Sequence, residues 1–360
     1  MPGAGDAPGL RKVARSSAPF GTPARHRGVG SGTVVGMKSS TKNADDGGSE
    51  SVRTVVIAFA ANLGVAIAKT VAAVLTGSAS MVAEASHSWA DTGNEIFLLV
   101  ANKRGARGPD EQRPLGYGRE TYFWSTLAAV GLFVAGAAVS IWHGITSLFE
   151  GESSSENYAV AYIVLALAFV LEGISFLQSV RQIRAEAKEY ERDFLDYALE
   201  TSDPTLRAVF AEDSAALIGI VIAAAGIGMH QLTGSAAWDA AGSILVGVLL
   251  AIVAFVLIDR NRRFLTGEPG SHALWNAVVQ RIEQLPEVAS VRFVRIEFVG
   301  PKQIFLVASV DLVGDSVESS IARTLRRLEG ELETNKAVLD AVLTVADPDE
   351  DEVGNITAAG

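Results

Sequence analysis

Six mainly apolar stretches follow one another between positions 53 and 259, each about 20 residues or more, the length a helix needs to cross a bilayer core. They are expected near 53–76, 79–102, 121–148, 157–181, 207–230 and 238–259. A soluble helical core explains one such run. Six in succession predict a membrane bundle, because only helices and closed barrels satisfy their own backbone polar groups in lipid. The third run, TYFWSTLAAVGLFVAGAAVSIWHGITSLF, carries Tyr122, Phe123 and Trp124 at one end and Trp142 near the other, as interfacial aromatic belts do. The mean hydropathy of the whole chain is only +0.27 because both ends are polar.

Basic residues set the expected orientation. Lys103, Arg104, Arg107, Arg113 and Arg119 follow the second run, and Arg181, Arg184, Lys188 and Arg192 follow the fourth. The sixth ends in Asp259-Arg260-Asn261-Arg262-Arg263, whereas GESSSEN and QLTGSAAWD on the opposite side contain no Lys or Arg. The positive-inside rule then puts both termini in the cytoplasm, and the expected location is the plasma membrane.

Outside the bundle the pattern changes. Residues 1–50 are rich in Gly, Ser, Ala and Arg without an apolar h-region, and read as disorder rather than a signal peptide. An Arg-rich transit peptide is the alternative there, without the amphipathic periodicity it calls for, and Met37 is a second candidate start. The bundle is taken as 51–265 and a further domain as 266–349. In that domain SHALWNAVVQRIEQLP has helical spacing, ASVRFVRIEFVG and QIFLVASVDLVG alternate as strands around the turn at 300–302, SVESSIARTLRRLEGELE is a second helix and AVLTVAD a last strand. The order α-β-β-α-β predicts a small two-layer α+β domain, expected to be cytosolic. Residues 350–360 form an acidic, disordered tail.

Composition excludes several functions. A net charge of −11 gives no basic footprint for nucleic acid. With no cysteine, any metal must be held by imidazole, carboxylate, amide or water, donors suited to Zn, Mn, Fe(II) or Co rather than Cu(I). No phosphate-cradling glycine loop and no Ser/Lys, HExxH or paired-Asp signature is present, which argues against an ATP-driven pump and against an enzyme.

The chemistry concentrates in the second and fifth runs. Ionisable groups inside a membrane cost roughly 2.5–3.5 kcal/mol each and are functional candidates by default. In AEASHSWADTGNEIFLLV, His87 and Asp91 are one helical turn apart, and Glu84, Asn94 and Glu95 share their broad face. A structural His–Asp pair is the bland alternative, and Glu84 reads as interfacial or structural. In LRAVFAEDSAALIG, Asp213 is the candidate third ligand, while the adjacent Glu212 points about 100° away. Glu212, Asn94, Glu95 and Glu172 are candidates for a further ligand or a proton pathway. Asn62 reads as hydrogen-bonded packing, Lys69 as snorkelling, and Asp239 as a carboxylate at its own helix N-terminus. His143, His230 and His272 are assigned no metal.

These motifs resemble the cation diffusion facilitator family: AANLGVAIAK, SASMVAEASHSWADTGN, RPLGYGRE, a carboxylate in the fifth run, and WDAAGSILVG opening the sixth. The resemblance covers roughly residues 53–348, and SDPTLRAVFAEDSAALIG is most similar to the branch that includes the vertebrate zinc transporter numbered nine. It implies a homodimer exchanging a divalent metal for protons by alternating access, with a ferredoxin-like dimerisation domain. It also implies a membrane site of two paired ligands from the second span and two from the fifth. His87 and Asp91 match the first pair and Asp213 the later member of the second; Val209 stands at the earlier member, where valine cannot bind metal. Arg113 and Tyr117 stand where some members carry loop histidines, so no loop site is expected.

The expected function is therefore export of a divalent transition metal, zinc first and Mn, Fe or Co as alternatives, from the cytoplasm in exchange for protons. The metal is cargo, and no cofactor is expected. A non-transporting membrane scaffold or regulator of the same fold is the rival, favoured by Val209.

Overall fold

The computed structural model describes residues 46–150, 157–189, 192–347, 351 and 353. Most of the expected disordered N-terminal segment and acidic tail therefore lies outside the described residues, although the first helix already begins at Asp46.

The bundle is built from α1 (Asp46–Thr76), α2 (Ala79–Gly105), α3 (Gly118–Gly131) continued by a π-helical segment (Leu132–Ala138) into α4 (Val139–Glu150), then α5 (Tyr158–Glu189), the short α6 (Phe194–Glu200), α7 (Pro204–Thr233) and α8 (Ala237–Thr266). Among the described residues, five spans are long and apolar enough to cross a membrane: Phe59–Thr76, Gly118–Phe149, Tyr158–Lys188, Pro204–Thr233 and Ala237–Thr266. The sixth, α2, has the length at 27 residues but carries Glu84, Asp91 and Glu95 along it. It is tolerated because α3, α4, α7 and α8 pack around it.

Helix–helix contact rests on small residues, as expected where lipid supplies no hydrophobic drive. Ala72 and Ala73 of α1 meet Leu165 and Ala168 of α5 and Ile220, Ala223 and Ile227 of α7. Gly77, with φ 63, turns the chain between α1 and α2. The α2 N-terminus is closed from another helix: Asp239 of α8 accepts from Ser78 Oγ (2.9 Å), the Ala79 amide (2.6 Å) and the Ser80 amide (3.2 Å). The sequence reading placed Asp239 at the start of its own helix, which is correct, but its partners are on α2.

Two elements depart from expectation. The loop assigned after the fourth span is largely helical, since α5 runs to Glu189 and so carries Arg181, Arg184 and Lys188. The third span contains seven residues of π-helix, which a single apolar run does not signal.

The C-terminal domain has the predicted order: α9 (His272–Glu283), β1 (Val288–Gly300), β2 (Gln303–Leu312), α10 (Glu318–Leu332) and β3 (Val338–Val345). β1 and β2 are antiparallel, β2 and β3 parallel, in the sheet order β1-β2-β3. One sheet face (Ile304, Leu306, Ala308, Val310, Ala341, Leu343) packs with Val279, Ile282, Leu328 and Leu332 of the helices. The domain docks on the bundle through its β1–β2 turn. A Cβ at Gly118 of α3 would stand 2.5 Å from the Val299 carbonyl oxygen, so glycine allows the approach. Lys302 donates its amide to Ser202 Oγ at 3.0 Å and pairs its ammonium with Glu186 at 2.9 Å. Phe264 of α8 stacks on Tyr122 (4.9 Å) and meets Phe298 of β1 edge-on (5.5 Å).

Candidate metal centre

The helical period puts His87 and Asp91 on one face of α2, and their side chains do meet: Nε2 lies 3.4 Å from Oδ2. His87 is fully buried. Among the described residues, neither ring nitrogen has a hydrogen-bond partner, and Asp91 Oδ1 has none either. Most buried polar atoms in proteins are satisfied, so this concentration asks for a reason.

Asp91 opens onto a cavity of about 130 Å³ between α1, α2, α5 and α7. Five carboxylates line it: Asp91 and Glu95 from α2, Glu172 from α5, and Glu212 and Asp213 from α7. Asn62, Ser88 and Ser175 add polar walls, and Val65, Leu98 and Val209 apolar ones. Neighbouring donors hold some of these acids. Asn62 Nδ2 donates to Glu95 at 2.5 Å, Ser175 Oγ to Asp213 at 2.8 Å, and Asn94 Nδ2 to Glu212. Adjacent carboxylates on α7 thus turn to different helices, Glu212 to α2 and Asp213 to α5, yet both remain on the same cavity.

A second, larger cavity of about 280 Å³ adjoins the first. It shares Ser175 and Val209 with it, and continues past Gln178, Gln182, Asn102, Asp203 and Thr205 toward the end of the bundle that bears the C-terminal domain. Every wall group there except Leu206 and Val209 is polar, and Asp203 is the single acid among them. It gives the acidic chamber a mostly polar neighbour on that side.

The sequence-predicted residues are brought together in part. Asp91 and Asp213 share the chamber with three of the four accessory candidates, Glu212, Glu95 and Glu172. His87 touches Asp91 but stands outside the chamber lining, as does Asn94, which donates to Glu212. Among the described residues, no three imidazole or carboxylate groups lie close enough to hold one metal ion together in this conformation.

Lys69 overturns its expected role. Rather than snorkelling, it is fully buried and paired with Glu84, Nζ to Oε2 at 2.9 Å, so Glu84 is not interfacial either. The sequence offered one clue, since a lysine in mid-span needs a counter-charge. It named no partner, because the two sit on different helices.

The comparisons with known proteins agree with this architecture. Residues 55–266 match the model of the cation efflux transmembrane domain. The chain belongs to the cation efflux family. Its similarity to individual members extends over most of its length. It is 35% identical over 252 residues to "Proton-coupled zinc antiporter SLC30A9, mitochondrial" of Xenopus laevis, covering 70% of this chain and 45% of that one. It is 33% identical over 252 residues to the human protein of the same name, covering 70% and 44%. With "Metal tolerance protein C4" of Arabidopsis thaliana it shares 33% over 249 residues, covering 69% and 54%. The chain spans about half the length of the curated relatives it matches. Membership of this family makes it a multi-pass membrane protein.

Proposed function

We propose that this cation efflux protein is a secondary transporter that moves a divalent transition metal, zinc first, out of the cytoplasm in exchange for protons. The observation that carries this reading is the chamber in which five carboxylates face one volume of about 130 Å³, beside a histidine whose two ring nitrogens have no partner. Acceptors concentrated in a low-dielectric interior repel one another unless a cation or protons join them. A dication and protons are alternative occupants of the same oxygens. Metal binding needs neutral imidazole and ionised carboxylates, so each occupant excludes the other. Alternate exposure of such a chamber to the two membrane faces yields antiport.

Asp91 and Asp213, from α2 and α7, are the proposed principal ligands, with His87 as third. A modest closing of α7 toward α2 would bring the three to one ion, and Glu212, Glu95 and Glu172 then supply a fourth donor or hold protons. The polar cavity past Gln178 and Gln182 is the proposed path from the cytoplasm, and the proposal takes this conformation as inward-facing, with the basic loops on that side. The names of the frog and human relatives mention zinc and protons, which favours the same cargo here. They also say mitochondrial, so an organelle membrane competes with the plasma membrane as the location. A homodimer assembled through the C-terminal domain is proposed.

Val209 supports a second reading, a scaffold that keeps the fold without turnover, because an apolar wall stands where a ligand is expected. Zinc uptake into proteoliposomes under a pH gradient separates the two. Antiport predicts uptake that collapses in Asp91→Ala and Asp213→Ala; the scaffold predicts none in the unaltered protein. Uptake indifferent to both substitutions would remove the site assignment.

A further inference from the structure

Arg181, Arg184 and Lys188 of α5 have no part in the transport reading. All three are exposed, and among the described residues none has a carboxylate partner. Arg184 makes one contact, its guanidinium 5.6 Å from the centre of the Phe194 ring. Other basic residues at this end of the bundle are occupied: Arg104 and Arg113 face Glu120 at 3.5 and 3.4 Å, and Arg262 pairs with Asp259 at 2.8 Å. Lys188 lies in the last turn of α5, where a cation favours the helix dipole. Arg181 stands about two turns from that end, so the dipole does not explain the set.

The three cations extend an apolar stripe. Val170, Ile174 and Leu177 precede them at the same alternating steps of four and three residues, so the six side chains lie along one face of the helix. Each apolar member is more than half exposed. Ser175 and Ser179, on a different side of the helix, line the polar cavity, so the stripe is the outward face. Of the five apolar spans α5 is also the least covered by protein: 17% of its most apolar stretch is buried, against at least 33% in the other four. From Val170 to Arg181 the helix rises ~16 Å, one leaflet's share of a roughly 30 Å hydrocarbon core. The stripe therefore matches an acyl chain in length and ends in positive charge where the phosphates begin.

We propose that this stripe binds an anionic phospholipid, its phosphate held by Arg181, Arg184 and Lys188 and one acyl chain laid along Leu177, Ile174 and Val170. Charge complementarity selects this occupant, since a second copy of the same stripe would bring three more cations against these. Guanidinium forks meet phosphate oxygens in pairs, and the long stems of all three side chains can lie on apolar surface while their heads reach the phosphate. A choline headgroup carries its own cation beside the phosphate and gains less.

Native mass spectrometry of the full chain, released from detergent with added phosphatidylglycerol or phosphatidylcholine, reads lipid retention and oligomeric state together. Wild type is expected to retain phosphatidylglycerol in preference to phosphatidylcholine. R181Q/R184Q/K188Q is expected to retain at least about tenfold less phosphatidylglycerol, as the loss of three cations near an anionic headgroup implies. R104Q/R107Q/R113Q, which removes as much charge from the loop between α2 and α3, is expected to retain the wild-type amount. The single reversal Arg181→Glu, at a side chain without a polar partner among the described residues, is expected to lower retention about fivefold and tests the site even if the triple variant does not fold. Retention unchanged in the α5 variants, or lowered equally by the loop variant, overturns the proposal. So does a loss of lipid seen only with a change of oligomeric state, which would give the face to a second copy.

Discussion

His87 Nε2 and Asp91 Oδ2 stand 3.4 Å apart on successive turns of α2, and no third side chain gives either imidazole nitrogen a hydrogen bond. The ring is enclosed but contributes no bond to the fold. Replacing it should therefore disturb binding more than stability. In His87→Asn, zinc affinity is expected to fall at least about tenfold, as when a group coupled to a metal ligand is lost. The apparent Tm should stay within a few degrees of wild type, since the substitution breaks no hydrogen bond and removes only the 3.4 Å approach to Asp91. Calorimetric zinc titration and thermal unfolding in detergent check the two halves separately.

Asp239 is expected to behave in the opposite way. Its carboxylate accepts three hydrogen bonds at the α2 N-terminus, from Ser78 Oγ and from the Ala79 and Ser80 amides, while Ser80 Oγ donates back to the Asp239 carbonyl at 2.8 Å. Asp239→Ala leaves those donors unsatisfied in a buried place. A loss of about 3 kcal/mol is expected, the scale for charge-assisted bonds to buried groups. Thermal unfolding should show it, and the zinc affinity of the remaining folded protein should be unchanged.

Much of the architecture was legible in the sequence. Apolar length located the helices, strand alternation located β1 and β2, and the four-residue spacing of His87 and Asp91 put them together, because each signal is local and periodic. What escaped were relationships between helices. Lys69 and Glu84, Asn62 and Glu95, and Asn94 and Glu212 are partners only once three dimensions bring α1, α2 and α7 side by side. Ser175, which holds Asp213, gave no signal at all, being one serine in an apolar run. The π-helical segment was hidden for a different reason: its composition is that of any α-helical span. His87, the most obvious ligand in the sequence, lies behind the chamber wall, because 3.6-residue periodicity fixes a helix face but not the depth of a side chain behind it.

The loop between α2 and α3 offers a test at low pH. Asp110 accepts from Tyr117 Oη at 2.8 Å and from the Arg113 amide at 2.8 Å, and these bonds, the Tyr117 one foremost, hold its carboxyl below the ordinary 3.8. A depressed carboxyl contributes its stabilising effect above the unfolded value and loses it as pH falls through the folded one. The loop is thus expected to keep its shape at neutral pH and to loosen only below the usual aspartate range. Tyr117→Phe should move the Asp110 titration back up toward 3.8. Carboxyl-carbon NMR of Asp110 reads both effects, and an unchanged titration in the phenylalanine variant would contradict the assignment.

The central claim is that carboxylates of α2 and α7 hold the cation inside the chamber. Anomalous scattering at the zinc edge from crystals of the zinc-loaded protein tests it directly. The predicted result is a peak between Asp91 and Asp213, absent when both are alanine. A fully occupied zinc elsewhere in the membrane domain, with that chamber empty, would contradict it.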